Sequence, residues 1–144
     1  MLPIINRPPA DQNPPSWYCF RLDIQRAGKQ TTQPASENDR ETAEERPILC
    51  AVCSAPVTHR RETIIKNGLH EHVFFNPAGI AFEVRCYRRA PGCSIQGEPT
   101  SDFTWFDGYN WQYALCASCL THLGWWFTAK DDSFFGLISD RLVE

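Results

Sequence analysis

From Pro47 onward, apolar and polar residues alternate in short runs with the period of an extended chain. "IAFEVRCYRR" sets Ile80, Phe82, Val84 and Cys86 on one side and Glu83, Arg85 and Tyr87 on the other, the two-residue repeat of a half-buried strand. Before it, "HEHVFFN" runs into the turn-forming "NPAG", so the two stretches predict a hairpin. "ILCAV", "WQYALC" and "LGWWFTA" read as further strands, "APGCSIQGEPTSD" as a Gly/Pro-rich loop, and "FFGLISDRLV" as a last strand. No run much beyond about ten residues carries a helical period. The pattern predicts a small, mainly β domain over residues 47–144.

Before residue 47 the pattern breaks down. Pro3, Pro8, Pro9, Pro14, Pro15 and Pro34 lie here, and "AGKQTTQPASENDRETAEER" is polar without an apolar period. Such a composition buries too little surface to offset its ordering entropy, so residues 1–46 are expected to be a flexible segment. The exception is "WYCFRLDI", where Phe20, Leu22 and Ile24 alternate with Arg21 and Asp23. It reads equally as an added strand, a docking segment or a sticky patch.

Length and charge narrow the function classes. A chain of 144 residues has room for one ordinary domain and a tail. A net charge of -3 leaves no electrostatic footprint for nucleic acid or an anionic membrane. No apolar stretch approaches the roughly 18 residues of a bilayer span. The N-terminus lacks the charged and apolar regions of a secretory signal, so a cytoplasmic protein is expected. Seven cysteines in such a chain point to metal or redox chemistry before a disulfide framework.

Two stretches echo each other, "ILCAVCSAP" and "ALCASCLTH". Each sets two thiols three positions apart, Cys50 with Cys53 and Cys116 with Cys119, so that both converge from one tight turn. Two such turns complete the four-sulfur tetrahedral shell that zinc takes in structural sites. The 62 residues from Ser54 to Leu115 are too many for a short zinc ribbon, so one ion is expected to tie two distant hairpins together. A thioredoxin-type redox pair would need a βαβ unit, and no such pattern is present. The expected role of the zinc is structural. Cys86, in phase with Phe82 and Val84, reads as a buried inert thiol, and Cys93 as a loop thiol open to solvent. His59, His70, His72 and His122 read as non-ligands, since sulfur alone satisfies the ion. Arg60, Arg61, Arg85, Arg88 and Arg89 read as solvated positions.

Four of the five tryptophans fall between Trp105 and Trp126. Alternation puts Trp125 and Phe127 on one strand face and turns Trp126 to the other. Trp105 and Trp111 bracket "FDGYN", whose Asp-Gly marks a tight turn, and the cysteine turn at Cys116/Cys119 returns the chain so that Trp125 stands beside them. Three indoles converging there describe an aromatic cage. Two ligand types suit it: a methylated or quaternary ammonium drawn to the ring faces, or a small neutral ring whose polar edge meets backbone groups. The residues alone leave these two open.

"FNPAG", "DFTWFDGYNW", the second CxxC and "HLGWWF", in this order behind "CAVC", closely resemble the thalidomide-binding (CULT) domain of the cereblon family over residues 47–144. The resemblance implies a β-tent, two roughly orthogonal antiparallel sheets pinned by one zinc on Cys50, Cys53, Cys116 and Cys119. It implies a pocket for cyclic imides such as glutarimide, with uracil-type nucleosides as related ligands. Its walls would be Trp105, Trp111 and Trp125, with Phe127 behind them. The backbone carbonyl of Phe103 and the backbone amide of Trp105 would read the imide edge, and the Asn76 side chain would close over the ring. Phe103 and Ala78 stand where eukaryotic cereblons carry histidines, which leaves the backbone contacts intact and loosens contacts to larger ligands. With no Lon-like domain in the chain, a stand-alone bacterial-type member is expected and no ubiquitin-ligase partner is implied.

Three functions compete. A binding module would take a cyclic imide or nucleoside-like ring, including one at a modified protein C-terminus. The alternative is a cation-π reader of methylated lysine, with Asp102 or Asp107 as its carboxylate. An enzyme of the B-type methionine sulfoxide reductase class, similar in fold and zinc pairs, needs a C-terminal nucleophilic cysteine, and no cysteine follows Cys119. No catalytic function is expected.

Overall fold

The computed structural model describes residues 43–144. The expectations for the flexible segment up to residue 42, for "WYCFRLDI" and for Cys19 lie outside the described residues. Nine strands follow in chain order: β1 (Pro47–Cys50), β2 (Pro56–His59), β3 (Glu71–Phe75), β4 (Ala81–Tyr87), β5 (Cys93–Thr100), β6 (Asn110–Cys116), β7 (His122–Thr128), β8 (Ser133–Ile138) and β9 (Leu142–Val143). They form two antiparallel sheets, a three-stranded one in the order β2-β1-β9 and a six-stranded one in the order β3-β4-β8-β7-β6-β5. Among the described residues, no helix is long and apolar enough to cross a membrane.

The large sheet is apolar on both faces, which explains why alternation alone misjudges some positions. One face packs with the small sheet around Ile48, Val57, Tyr87, Leu123 and Leu137. The other carries Val84, Phe127, Phe134 and Ile138, and the loop between β5 and β6 roofs it with Phe106. Tyr87 does point away from Val84 and Cys86, as the alternation requires, but it is only 1% exposed because the small sheet covers that side. Ile80, expected inside, precedes β4 in the hairpin turn and is 55% exposed.

Further readings are corrected. "CSIQGEPT" is strand β5, paired to β6. It is an edge strand, so Gly97 and Pro99 cost only a register shift between Gln96 and Thr100 instead of a broken ladder. Cys93 therefore lies opposite Cys116 and packs against the core. The closing run is two strands in two sheets, β8 in the large one and β9 in the small one, joined by a short 3-10 turn at Ser139–Arg141. Arg85 is not simply solvated: it is paired with Glu71 at 2.8 Å and Glu144 at 2.9 Å.

Candidate functional site

Cys50 ends β1 and Cys116 ends β6, so the two cysteine turns come from different sheets. Their backbones repeat one another. In the first, the Cys50 N–H donates to the Ala55 carbonyl and the Ser54 N–H to the Cys50 carbonyl, both at 2.9 Å. In the second, the Cys116 N–H donates to Thr121 and the Leu120 N–H to Cys116, both at 2.8 Å. Ser54 and Leu120 take matching left-handed φ values of 61°, a conformation non-glycine residues adopt only where the surroundings hold them. Two separate stretches of sequence thus build the same knuckle.

The four sulfurs lie within 4.8 Å of one another, with Cys50–Cys119 at 3.7 Å and Cys53–Cys116 at 3.6 Å. A tetrahedral ion with metal–sulfur bonds of about 2.3 Å sets its ligands about 3.8 Å apart. The residues present therefore fit a metal ion such as zinc, joining the small sheet to the large one. Hydrogen bonding with the Thr121 side chain and backbone holds Cys119 below its ordinary range, whereas burial pushes Cys116 up. Cys86 is buried, and burial raises its thiol to about 12, which leaves it inert. No histidine joins the cluster among the described residues.

The second feature is a cavity of about 320 Å³ on the roofed face of the large sheet. The structure brings Asn76, Phe103, Trp105, Trp111, Trp125 and Phe127 to its wall. The ladder explains half of this set. Trp111 faces Phe127 and Tyr113 faces Trp125 across β6 and β7, so all four side chains share one face. Gln112 and Trp126 are paired on the opposite face, where Trp126 lies 6.3 Å from the Phe135 ring. Trp125 is 8% exposed and forms the inner wall.

Trp105 and Trp111 are held by their own N–H groups. The Trp105 indole donates to the Phe75 carbonyl at 3.0 Å, on the edge strand β3, and its ring stacks on Phe74 at 4.9 Å. The Trp111 indole donates to the Asp102 carbonyl at 2.8 Å. Both bonds fasten the β5–β6 loop over the sheet and leave ring faces, not N–H groups, for the cavity. Phe103 sits at the mouth, 77% exposed, with φ at 54°. Its carbonyl and the Trp105 backbone amide have no partner among the described residues. The Asn76 side-chain Oδ1 accepts from the Ile80 N–H at 2.9 Å, so it braces the β3–β4 hairpin and leaves the amide NH2 to reach the cavity.

Four lining residues were not anticipated: Pro77, Phe82, Tyr113 and His122. Tyr113 was legible, being two positions from Trp111 on the same strand. His122 was not, since alternation counted from Trp125 turns it away. The register shifts between Ala114 and Leu115, and Leu123 is the extra residue on β7. This bulge re-aims His122 into the cavity wall, where it meets Trp125 edge-on at 4.9 Å. Gly124 completes the bulge at φ 157°, and a Cβ there would lie 2.1 Å from the Gly136 carbonyl oxygen.

No protein-family model matches the chain. It is similar to "Protein cereblon" of Drosophila erecta, 32% identical over 99 residues, which are 62% of this chain and 17% of that protein. The Drosophila virilis protein of the same name is 30% identical over 108 residues, 69% of this chain and 17% of its own length. That of Gallus gallus is 37% identical over 75 residues, 49% of this chain and 17% of its own. The chain thus spans 17% of the length of these curated relatives, and the similarity supports a cereblon-like domain.

Proposed function

We propose that this cereblon-like domain is a small-molecule binding module whose three indoles enclose a cyclic imide, glutarimide or a related uracil-type ring. The observation that carries the reading is that Trp105, Trp111 and Trp125 together line one cavity of about 320 Å³. Indole faces exclude water from a small ring, and the unpaired Phe103 carbonyl and Trp105 amide supply an acceptor and a donor for an imide edge. Buried polar groups left unpaired by the wrong ring make such a site selective. The reading includes a β-tent arrangement of the two sheets and a structural zinc on the four cysteines.

The lining residues carry no carboxylate and no serine, cysteine, threonine or lysine. That favours a neutral ring over a methylated ammonium, which would want a negative partner, and favours binding over covalent catalysis. A free cyclic imide, a nucleoside-like ring or an imide at a modified protein C-terminus all present the same edge. Because the similarity spans 17% of the relatives, no ubiquitin-ligase role is carried over.

The test is a titration of zinc-loaded protein with glutarimide, N-methylglutarimide, uridine and trimethyl-lysine, followed by tryptophan fluorescence. Saturable quenching by glutarimide that disappears on N-methylation is expected. A response confined to trimethyl-lysine would move the site to the cation-π class, and no response at all would return the indoles to packed core.

A further inference from the structure

His122 and Tyr113 are the polar side chains of the cavity wall that the reading above leaves without a role, and His122 is the less exposed of the two. Its Nε2 lies 2.9 Å from the Gly124 carbonyl oxygen. A carbonyl only accepts, so Nε2 carries the hydrogen and the neutral ring is held in one tautomer. Nδ1 is then a lone-pair acceptor. No described protein group donates to it, and the one side-chain polar atom that is buried without a partner among the described residues is the Ser139 hydroxyl. Nδ1 is therefore open, and the cavity is the space that His122 borders. Burial disfavours the imidazolium and lowers the pKa of His122; the hydrogen bond to Gly124 opposes this, the positive charge of Arg141 adds to it, and the net direction is down. The acceptor form is thus the one present at neutral pH.

The position of the ring matters as much as its tautomer. Trp125 touches Trp105 at 4.6 Å and His122 at 4.9 Å. Trp105 belongs to the loop that presents the Phe103 carbonyl. His122 stands beside Tyr113, at 5.4 Å, toward the cysteine end of the same strands. Tyr113, 46% exposed, packs edge-on against Trp111 at 5.2 Å and continues the wall outward. A ring read at the Phe103 edge therefore has a second, separate acceptor available to anything it carries as a substituent.

We propose that His122 is a specificity-determining residue, whose Nδ1 accepts a hydrogen bond from an N–H or O–H on a substituent of the bound ring. The inference rests on the imide reading of the cavity. It names the ligand class more narrowly: a cyclic imide or similar ring bearing a hydrogen-bond donor outside the imide itself.

Matched pairs of acetamido- and acetoxyglutarimides, substituted at ring carbon 3 or 4, test it, because amide and ester have the same shape and differ by one N–H. The amide of at least one pair is expected to bind roughly 3- to 10-fold more tightly than its ester, as one additional net hydrogen bond allows. In His122→Phe that ratio should fall to about 1, whatever happens to the two affinities. Should the variant fail to fold, ¹⁵N spectra of the histidine side chains in the wild-type protein give an independent reading. They should show His122 as the Nε2–H tautomer, with Nδ1 shifting on addition of the amide and not of the ester. If glutarimide binds and every pair is bound equally, this inference is wrong and the imide reading survives. If neither glutarimide nor any of the pairs binds, the imide reading falls and this inference falls with it.

Discussion

Trp105 and Trp125 meet edge to face, with ring centroids 4.6 Å apart and planes at 74°. One comes from a loop and the other from the middle of a strand, so the corner they form exists only when the β5–β6 loop is fastened over the large sheet. Edge-to-face aromatic pairs contribute about 0.5–1.5 kcal/mol beyond their area, and here the pair also sets the shape of the cavity.

Trp105→Ala should abolish the fluorescence response to glutarimide while the protein keeps one zinc per chain, measured by metal analysis on the same sample. The cysteine turns do not depend on this loop, so the two readouts separate. A variant that still binds glutarimide with near wild-type affinity would show that Trp105 is not a wall of the site.

Trp126→Ala is the matched control. Its ring lies on the opposite face, against Phe135, so affinity for glutarimide should stay within about 2-fold while stability drops by about 1–3 kcal/mol in urea unfolding. A loss of binding equal to that of Trp105→Ala would mean that the response follows general loosening, not the wall.

Gly124→Ala should be among the most damaging single-methyl additions in the domain. The new Cβ would lie 2.1 Å from the Gly136 carbonyl oxygen and 2.8 Å from the Leu137 Cα, and backbone cannot move aside as a side-chain tip can. Overpacking of this kind costs about 1–3 kcal/mol, and the positive φ at the bulge adds strain. A fall in melting temperature with parallel loss of glutarimide binding is expected, because the same bulge aims His122.

The roof loop has a polar fastening with a defined pH range. Asp132 accepts from the Tyr109 hydroxyl and pairs with Lys66, whose ammonium sits 4.7 Å from the Phe134 ring centroid. Hydrogen bonds from Lys66 and then Tyr109 hold the Asp132 carboxyl below its usual value. Burial alone would lower Lys66, but its bonds to Asp132 and Tyr109 raise it overall. A lowered acid contributes stability above its unfolded pKa and loses it as pH falls through the folded one. A raised base contributes below its unfolded pKa and loses that as pH rises through the folded one. The stability difference between wild type and Asp132→Asn, about 0.5–1 kcal/mol for a partly exposed pair, should therefore be flat from about pH 5 to 9 and shrink on either side. A difference that does not change with pH would show that charge plays no part.

Stripping the metal should cost the domain its fold. Binding at structural zinc sites supplies about 10–16 kcal/mol of apparent folding free energy in small peptides, comparable to or larger than the net stability of an ordinary domain. Addition of a strong chelator should collapse the near-UV circular dichroism of the tryptophans, and zinc should restore it. Unchanged spectra in metal-free protein would mean that the two sheets hold together without the ion.

The sequence by itself determined what local rules govern. Strand periodicity gave the hairpin of β3 and β4 and the opposite facing of Trp125 and Trp126, because successive residues of an extended chain must alternate. The repeated CxxC gave the four thiols, because ligand spacing within a turn is a local matter. Local rules could not see Cys93 in a strand, since an edge position is what lets Gly97 and Pro99 sit there. They could not see Tyr87 buried, since that needs a second sheet behind the first. Only the tertiary structure decided that Asn76 spends its oxygen on its own hairpin, that the indole N–H groups of Trp105 and Trp111 are used to fasten a loop, and that His122 joins the wall. One extra residue in β7 reverses the alternation, and whether a strand bulges is settled by the register of its neighbour, which no single run of sequence contains.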